Sequence, residues 1–212
     1  MGYAIMRFAK IKSVATFDAI ERHAKDRTRL KMRARPENTA TIINNKYYTE
    51  DMSLVDRYKQ LTANITHRKD AVLGLEFVFA YSPEAEGTFD EREWIKANLK
   101  WLKSVFGDSK KIIHFRYDKD EKSNHCHCVV IPLYNGKLSA RHYINGKGTL
   151  SKLQDTYADA MAQFGLKRGN RYLDATELPT TRHKSLNEYY REAEQIKTKI
   201  FEEERTCRNE RY

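Results

Sequence analysis

Residues 110–138 read KKIIHFRYDKDEKSNHCHCVVIPLYNGKL. Two apolar runs, 110–118 and 125–134, flank a polar connection, and Asn135-Gly136 suits a tight hairpin turn. The pattern predicts neighbouring strands. Successive side chains of a strand point to opposite faces, so His125 and His127 share one face and Cys126 and Cys128 share the other. Two imidazoles at adjacent positions of one face can hold a divalent ion. Four residues divided between two faces cannot form one zinc cluster, so the cysteines read as small buried hydrophobes. Val129, Val130 and Ile131 carry the strand into a core, where two imidazoles lacking a partner would be costly. Asp118 ends the preceding strand, and Asp120 and Glu121 follow it. Asp118 is therefore the candidate third metal donor, leaving coordination positions open for substrate oxygens.

Moving outward, residues 3–11 predict a strand and 16–24 a helix striped by Phe17, Ile20 and Ala24, with Thr16 as cap. Residues 31–50 read as a polar, basic loop. A second amphipathic helix is expected over 53–66, and AVLGLEFVFAYS (71–82) is a strand rich in β-branched and aromatic residues. Thr88 and Glu91 have capping-box spacing and open a helix that Gly107 ends near Phe106. Trp94 and Trp101 lie on its apolar stripe and are expected in the core rather than stacked on bases. A helix from Thr149 to Gly165 follows, and a final amphipathic helix is expected over 184–205. Long strands, hairpins and helices in this mixture predict an α+β fold with a largely antiparallel sheet.

Of 212 residues, 40% are hydrophobic, enough for a core, and 39 Lys+Arg against 29 Asp+Glu leave a net charge of +10. Such a balance favours a polyanionic partner, either nucleic acid or an anionic membrane surface. No apolar run has the length of a membrane span, and Met1 to Lys12 alternate apolar and basic residues rather than forming a signal peptide. A cytoplasmic protein with no membrane partner is the expectation. Three cysteines, two of them two residues apart on one strand, do not suggest a disulfide framework.

The segment DKDEKSNHCHCVVIPLYNGKLSAR resembles the metal motif of MobV-type (Pre/Mob) plasmid mobilisation relaxases, roughly His-x-Asp-Glu-x-x-Pro-His-x-His followed by an apolar strand and an Asn-Gly-Lys-Leu-Ser turn. Asp120, Glu121, His125 and His127 match it. RFAKIK near the start, IERHAKDR around His23, RKDAVL at 68–73, FGLKRG and RHKSLNEYYRE agree in order. Two positions depart: the family's first metal histidine falls on Asp118, and its proline on Asn124. Carboxylate oxygen is a harder donor than imidazole and suits Mn²⁺ or Mg²⁺. From the sequence alone, Asp118→His is expected to keep or improve metal binding.

The resemblance implies an HUH-type relaxase domain over 1–183, with a central antiparallel sheet and flanking helices. A C-terminal helix, 184–212, would begin a longer helical region. It implies metal-dependent nicking and rejoining of single-stranded or hairpin DNA at a transfer origin, through a covalent 5′ protein–DNA intermediate. By the same resemblance His23 is the nucleophile and Glu121 orients it or accepts its proton. Tyr47 and Tyr48 are the alternative nucleophiles. Arg27, Arg33, Arg35, Arg68 and Lys69 are candidate phosphate contacts. Two other functions stand beside this one: a non-catalytic origin-DNA-binding module with a decayed metal site, and an HUH rolling-circle replication initiator or transposase.

Overall fold

The computed structural model describes residues 2–25, 52–119 and 123–169. The loop expected over 31–50, the domain boundary expected at 183 and the helix expected over 184–205 lie outside these residues. In chain order the elements are β1 (Gly2–Ile11), α1 (Val14–Lys25), α2 (Leu54–Thr62), β2 (Gly74–Tyr81), α3 (Glu91–Phe106), β3 (Ile112–Asp118), β4 (His125–Val130), β5 (Leu133–Tyr134), β6 (Lys137–Leu138), α4 (Ala140–Tyr143), α5 (Gly146–Met161) and β7 (Leu166–Arg168).

Five strands form one sheet in the order β3-β4-β2-β1-β7. The pairs β3/β4, β4/β2 and β2/β1 are antiparallel, as the hairpin-rich pattern predicts, whereas β7 runs parallel to β1. The fold is thus α+β with a mixed, largely antiparallel sheet, as expected. A three-residue strand, Leu166-Lys167-Arg168, is too short to show the period-two alternation that marks a strand in sequence.

Alternation gives the sheet two unlike faces. One is dry. Phe77, Phe79, Phe115, Tyr117, Cys126 and Cys128 pack there against Trp94, Trp101, Leu102 and Phe106 of α3 and Tyr157 and Met161 of α5. The tryptophans are core side chains, as expected, with Trp101 edge-on to Phe77 and Phe79 at 6.3 and 5.7 Å. On the other face a smaller cluster joins Ile11, Phe17, Leu54, Tyr58, Ile113, Val129 and Ile131. It covers the half of the face nearer the C-terminal end of β4 and leaves the His125 end to polar side chains.

Local chemistry moves several boundaries. α3 is capped by Asp90, whose carboxylate accepts the Arg92 N–H at 2.8 Å, while the Thr88 hydroxyl donates back to the Ala85 carbonyl at 2.8 Å. The capping-box reading of Thr88 is therefore corrected. α1 starts at Val14, ahead of Thr16, whose hydroxyl sits 2.9 Å from that of Ser13. The run 125–134 is not one strand: Ile131 and Pro132 break it before β5. Pro132 carries no N–H for a ladder. Asn135 (φ 46°) and Gly136 (φ 69°) make the anticipated tight turn between β5 and β6. The Glu21 carboxylate of α1, buried, accepts the Leu54 N–H at 3.0 Å, tying the end of α1 to the start of α2.

Cys126 and Cys128 are fully buried on the dry face, and burial pushes both thiols well above their ordinary range. In a Cys207→Ser background, a thiol reagent at pH 8 is expected to label neither until the protein is unfolded. Rapid labelling of the native protein would contradict the packing described.

Candidate metal centre

β3 and β4 pair so that Asp118 lies opposite His125 and Arg116 opposite His127. Directly opposed residues project from the same face, so the register collects these four side chains at one end of the sheet. The Nε2 atoms of His125 and His127 stand 3.0 Å apart. Oδ2 of Asp118 is 3.8 Å from the first and 3.9 Å from the second. Donors about 2.1–2.2 Å from one ion stand roughly 3.0–3.1 Å apart at a right angle and roughly 3.6–3.8 Å apart at 120°. The three atoms therefore fit around one divalent ion in a site with further coordination positions. They form the one such trio among the described residues.

The chemistry of the donor set points the same way. Nδ1 of His125 lies 2.8 Å from the Ser123 carbonyl oxygen, which can only accept, so this nitrogen carries the proton. In the neutral ring Nε2 then presents its lone pair toward His127 and Asp118, the form a metal needs. The Glu76 carboxylate lies 3.7 Å from Nδ1 of His127 and supplies negative charge behind that ring. His125 and Asp118 are buried, and His127 is partly exposed at the mouth.

A second network holds the loop that leads into β4. Buried Asn124 donates to the Tyr81 hydroxyl at 3.0 Å and to Glu91 at 2.8 Å, and Lys119 pairs with the other oxygen of Glu91. Burial pushes the Glu91 carboxyl up, but hydrogen bonds from Lys119, Tyr117 and Tyr81 outweigh this and hold it below the usual range. Asn124 is thus a buried anchor at the start of the strand that carries the two histidines.

His23, near the C-terminal end of α1 and half-buried, sits edge-on to His127 with ring centroids 5.7 Å apart. Arg116, buried, pairs through Nε with Oδ1 of Asp118 at 2.6 Å and donates from Nη1 to the carbonyl of Ala24, the residue after His23. The structure therefore brings together His23, Asp118, His125 and His127. Glu121, Arg27, Arg33, Arg35, Tyr47 and Tyr48 lie outside the described residues. Arg68 and Lys69 are exposed in the loop before β2, at the Val130 end of β4 and about 17 Å along that strand from His125. There Arg68 lines a cavity of about 370 Å³ with Lys137 and Arg141. No described helix is long and apolar enough to cross a membrane.

Sequence reasoning missed Arg116, Glu76 and the Asn124 anchor. A signal was present for the first two: each is a charge inside a largely apolar strand, which calls for a partner.

Comparison with known proteins follows the same lines. A family model described as plasmid recombination enzyme (Mob_Pre) matches residues 1–191. The 65 kDa protein of Zymomonas mobilis is 30% identical over 191 residues, covering 86% of this chain and 32% of that protein. Plasmid recombination enzyme type 2 of Staphylococcus aureus is 29% identical over 209 residues, covering 87% of this chain and 46% of its own length. The chain thus spans a third to a half of these relatives. Among solved structures, the Mn-bound MobM relaxase domain (MOBV; Mob_Pre) in complex with 22 nucleotides of plasmid pMV158 oriT DNA shares the fold. Its TM-score is 0.74 at 23% identity, covering 89% of this chain and 98% of that one.

His114 lies on the same face as the metal donors, two residues before Arg116. Burial, reinforced by the charges of His127, Arg116 and Arg57, pushes its imidazole down to about 3. The unfolded chain takes up a proton near pH 6.5 that folded His114 refuses. Its stabilising contribution is complete above pH 6.5 and is lost as pH falls from 6.5 toward 3, at up to about 1.4 kcal/mol per pH unit. Urea denaturation at pH 7 and pH 5 is expected to show an acid loss about 2 kcal/mol smaller in His114→Gln than in the parent. Equal losses would assign the acid sensitivity to other groups.

Proposed function

Because the chain belongs to the plasmid recombination enzyme (Mob_Pre) family, we propose that residues 1–183 form a relaxase domain. It nicks and rejoins single-stranded or hairpin DNA at the transfer origin of a plasmid or other mobile element. The observation that carries this reading is the place of His23, whose ring packs against His127 at the edge of the Asp118/His125/His127 trio. A nucleophile and a phosphate-polarising ion must share one corner for phosphoryl transfer. The solved MobM domain carries Mn and oriT DNA, and we assign Mn²⁺ or Mg²⁺ and transfer-origin DNA to this chain by that likeness. The net charge of +10 suits such a partner.

Asp118, His125 and His127 would hold the divalent ion, which supplies Lewis acidity at a phosphate oxygen when bound. His23 does the covalent work. A neutral ring nitrogen of His23 attacks phosphorus, the bond from phosphorus to the 3′ oxygen breaks, and that oxygen leaves and takes up a proton. The 5′ phosphate stays on His23 as a phosphoramidate, and attack by a 3′ hydroxyl reverses the step. Glu121 orients His23 or accepts its proton. The Arg116 tie to the Ala24 carbonyl holds the end of α1 against β3, so the attacking ring does not depend on a free helix end.

Single strands labelled at the 3′ end and tiled across the DNA flanking the gene provide the test. With Mn²⁺, a labelled protein adduct is expected that is acid-labile and alkali-stable. His23→Ala should lower its yield at least about a thousandfold, with DNA affinity within about twofold of the parent because phosphate binding is spread over many cations. Tyr47→Phe and Tyr48→Phe should leave it unchanged. An adduct that survives His23→Ala and disappears in a tyrosine variant would place the chemistry on that tyrosine. DNA binding with no Mn²⁺-dependent cleavage would leave a non-catalytic binding module.

A further inference from the structure

We propose that Arg116 orients Asp118 as the third donor of this centre and cancels its charge, so that Asp118 and Arg116 function as one charge-matched unit and are exchangeable only together. The proposal rests on the reading of Asp118, His125 and His127 as one metal centre. On β3 the two residues are two apart and so share a face. Arg116 occupies one carboxylate oxygen, Oδ1, at 2.6 Å, and leaves Oδ2 toward the two histidine nitrogens, at 3.8 and 3.9 Å. The ion pair on Oδ1 favours the orientation in which Asp118 presents Oδ2 as its donor.

Charge gives the second half of the reasoning. The Arg116 and Asp118 side chains are 4% and 1% exposed, so neither charge is screened by water. Two neutral imidazoles, one carboxylate and one guanidinium sum to zero, the same as three imidazoles with no arginine. Arg116 cannot swing away to relieve a mismatch, because its Nη1 is engaged by the Ala24 carbonyl at the end of α1. Replacing Asp118 with histidine therefore leaves a fixed positive charge beside three neutral donors and an incoming dication. This reverses the sign expected from sequence alone, where imidazole for carboxylate was anticipated to keep or improve binding.

Mn²⁺ titration, followed by the EPR signal of the free ion, tests this on the whole chain. Four proteins are compared: the parent, Asp118→His, Arg116→Met, and Asp118→His with Arg116→Met, each first checked for folding by circular dichroism. Asp118→His alone is expected to bind Mn²⁺ at least tenfold more weakly than the parent, and the double variant to recover to within about threefold of it. A structural role for Arg116 would instead make the double variant at least as poor as either single one. Should Asp118→His not fold, Arg116→Gln carries the test: it removes the charge but keeps an N–H donor, and Mn²⁺ binding is expected to tighten at least threefold. Parent-like binding by Asp118→His, no recovery in the double variant, or unchanged or weaker binding by Arg116→Gln each overturns the proposal. His125→Ala and His127→Ala separate the two levels: parent-like Mn²⁺ binding in both would sink the metal centre itself, and the proposal with it.

Discussion

The register between β3 and β4 is the constraint on which the site depends. Pairing Asp118 with His125 and Arg116 with His127 places two donors, a third donor and a balancing cation on one face. A slip of one residue would send both imidazoles into the aromatic core and bring Cys126 and Cys128 to the site. That slip is blocked from the opposite side. Phe77 and Phe79 of β2 sit against Cys128 and Cys126, and α3 seals them with Trp94 and Trp101. The dry face, which takes no part in the chemistry, thus sets the geometry of the wet one.

Two kinds of burial meet at this corner. The apolar cluster around Phe17, Tyr58 and Val129 packs α1 and α2 onto the sheet, and beyond it the polar groups pair among themselves. Arg116 faces Asp118, Glu76 stands behind His127, and the Ser123 carbonyl accepts from His125. Removing one member of a buried ion pair costs about 3–5 kcal/mol, so such groups hold one another in place. Rotation of the donors is restricted before any ion arrives, which lowers the ordering cost of binding.

How much of this was legible in the sequence depends on the range of each signal. His-x-His alternation, the apolar stripes of α1 and α3 and the Asn135-Gly136 turn are local patterns, and each reappears in the structure. The core role of the tryptophans followed from their spacing alone. β7 was hidden because three residues show no period, and the Thr88 cap was misread because Asp90, two residues on, offers a carboxylate to the same helix end. Arg116 and Glu76 were visible as charges within largely apolar strands, but that Arg116 also reaches the Ala24 carbonyl and that Glu76 stands behind His127 of a neighbouring strand shows only in the fold. Only the fold decides which oxygen of Asp118 faces the histidines. The anchoring of Asn124 likewise needs Tyr81 and Glu91, which lie 43 and 33 residues away.

The hydrogen bond from the Leu54 N–H to Glu21 has a consequence for how such a protein can diversify. It joins α1 to the first turn of α2 at a buried point, so the two helices are fixed to each other across 33 residues of sequence. Once two points of a chain are fixed to each other, doubling the length of chain between them adds only about 0.6 kcal/mol of closure entropy. The stretch between them, which carries Arg27, Arg33, Arg35, Tyr47 and Tyr48, can thus change in length at little cost in closure entropy, while the Glu21 tie keeps α1, which carries His23, against α2.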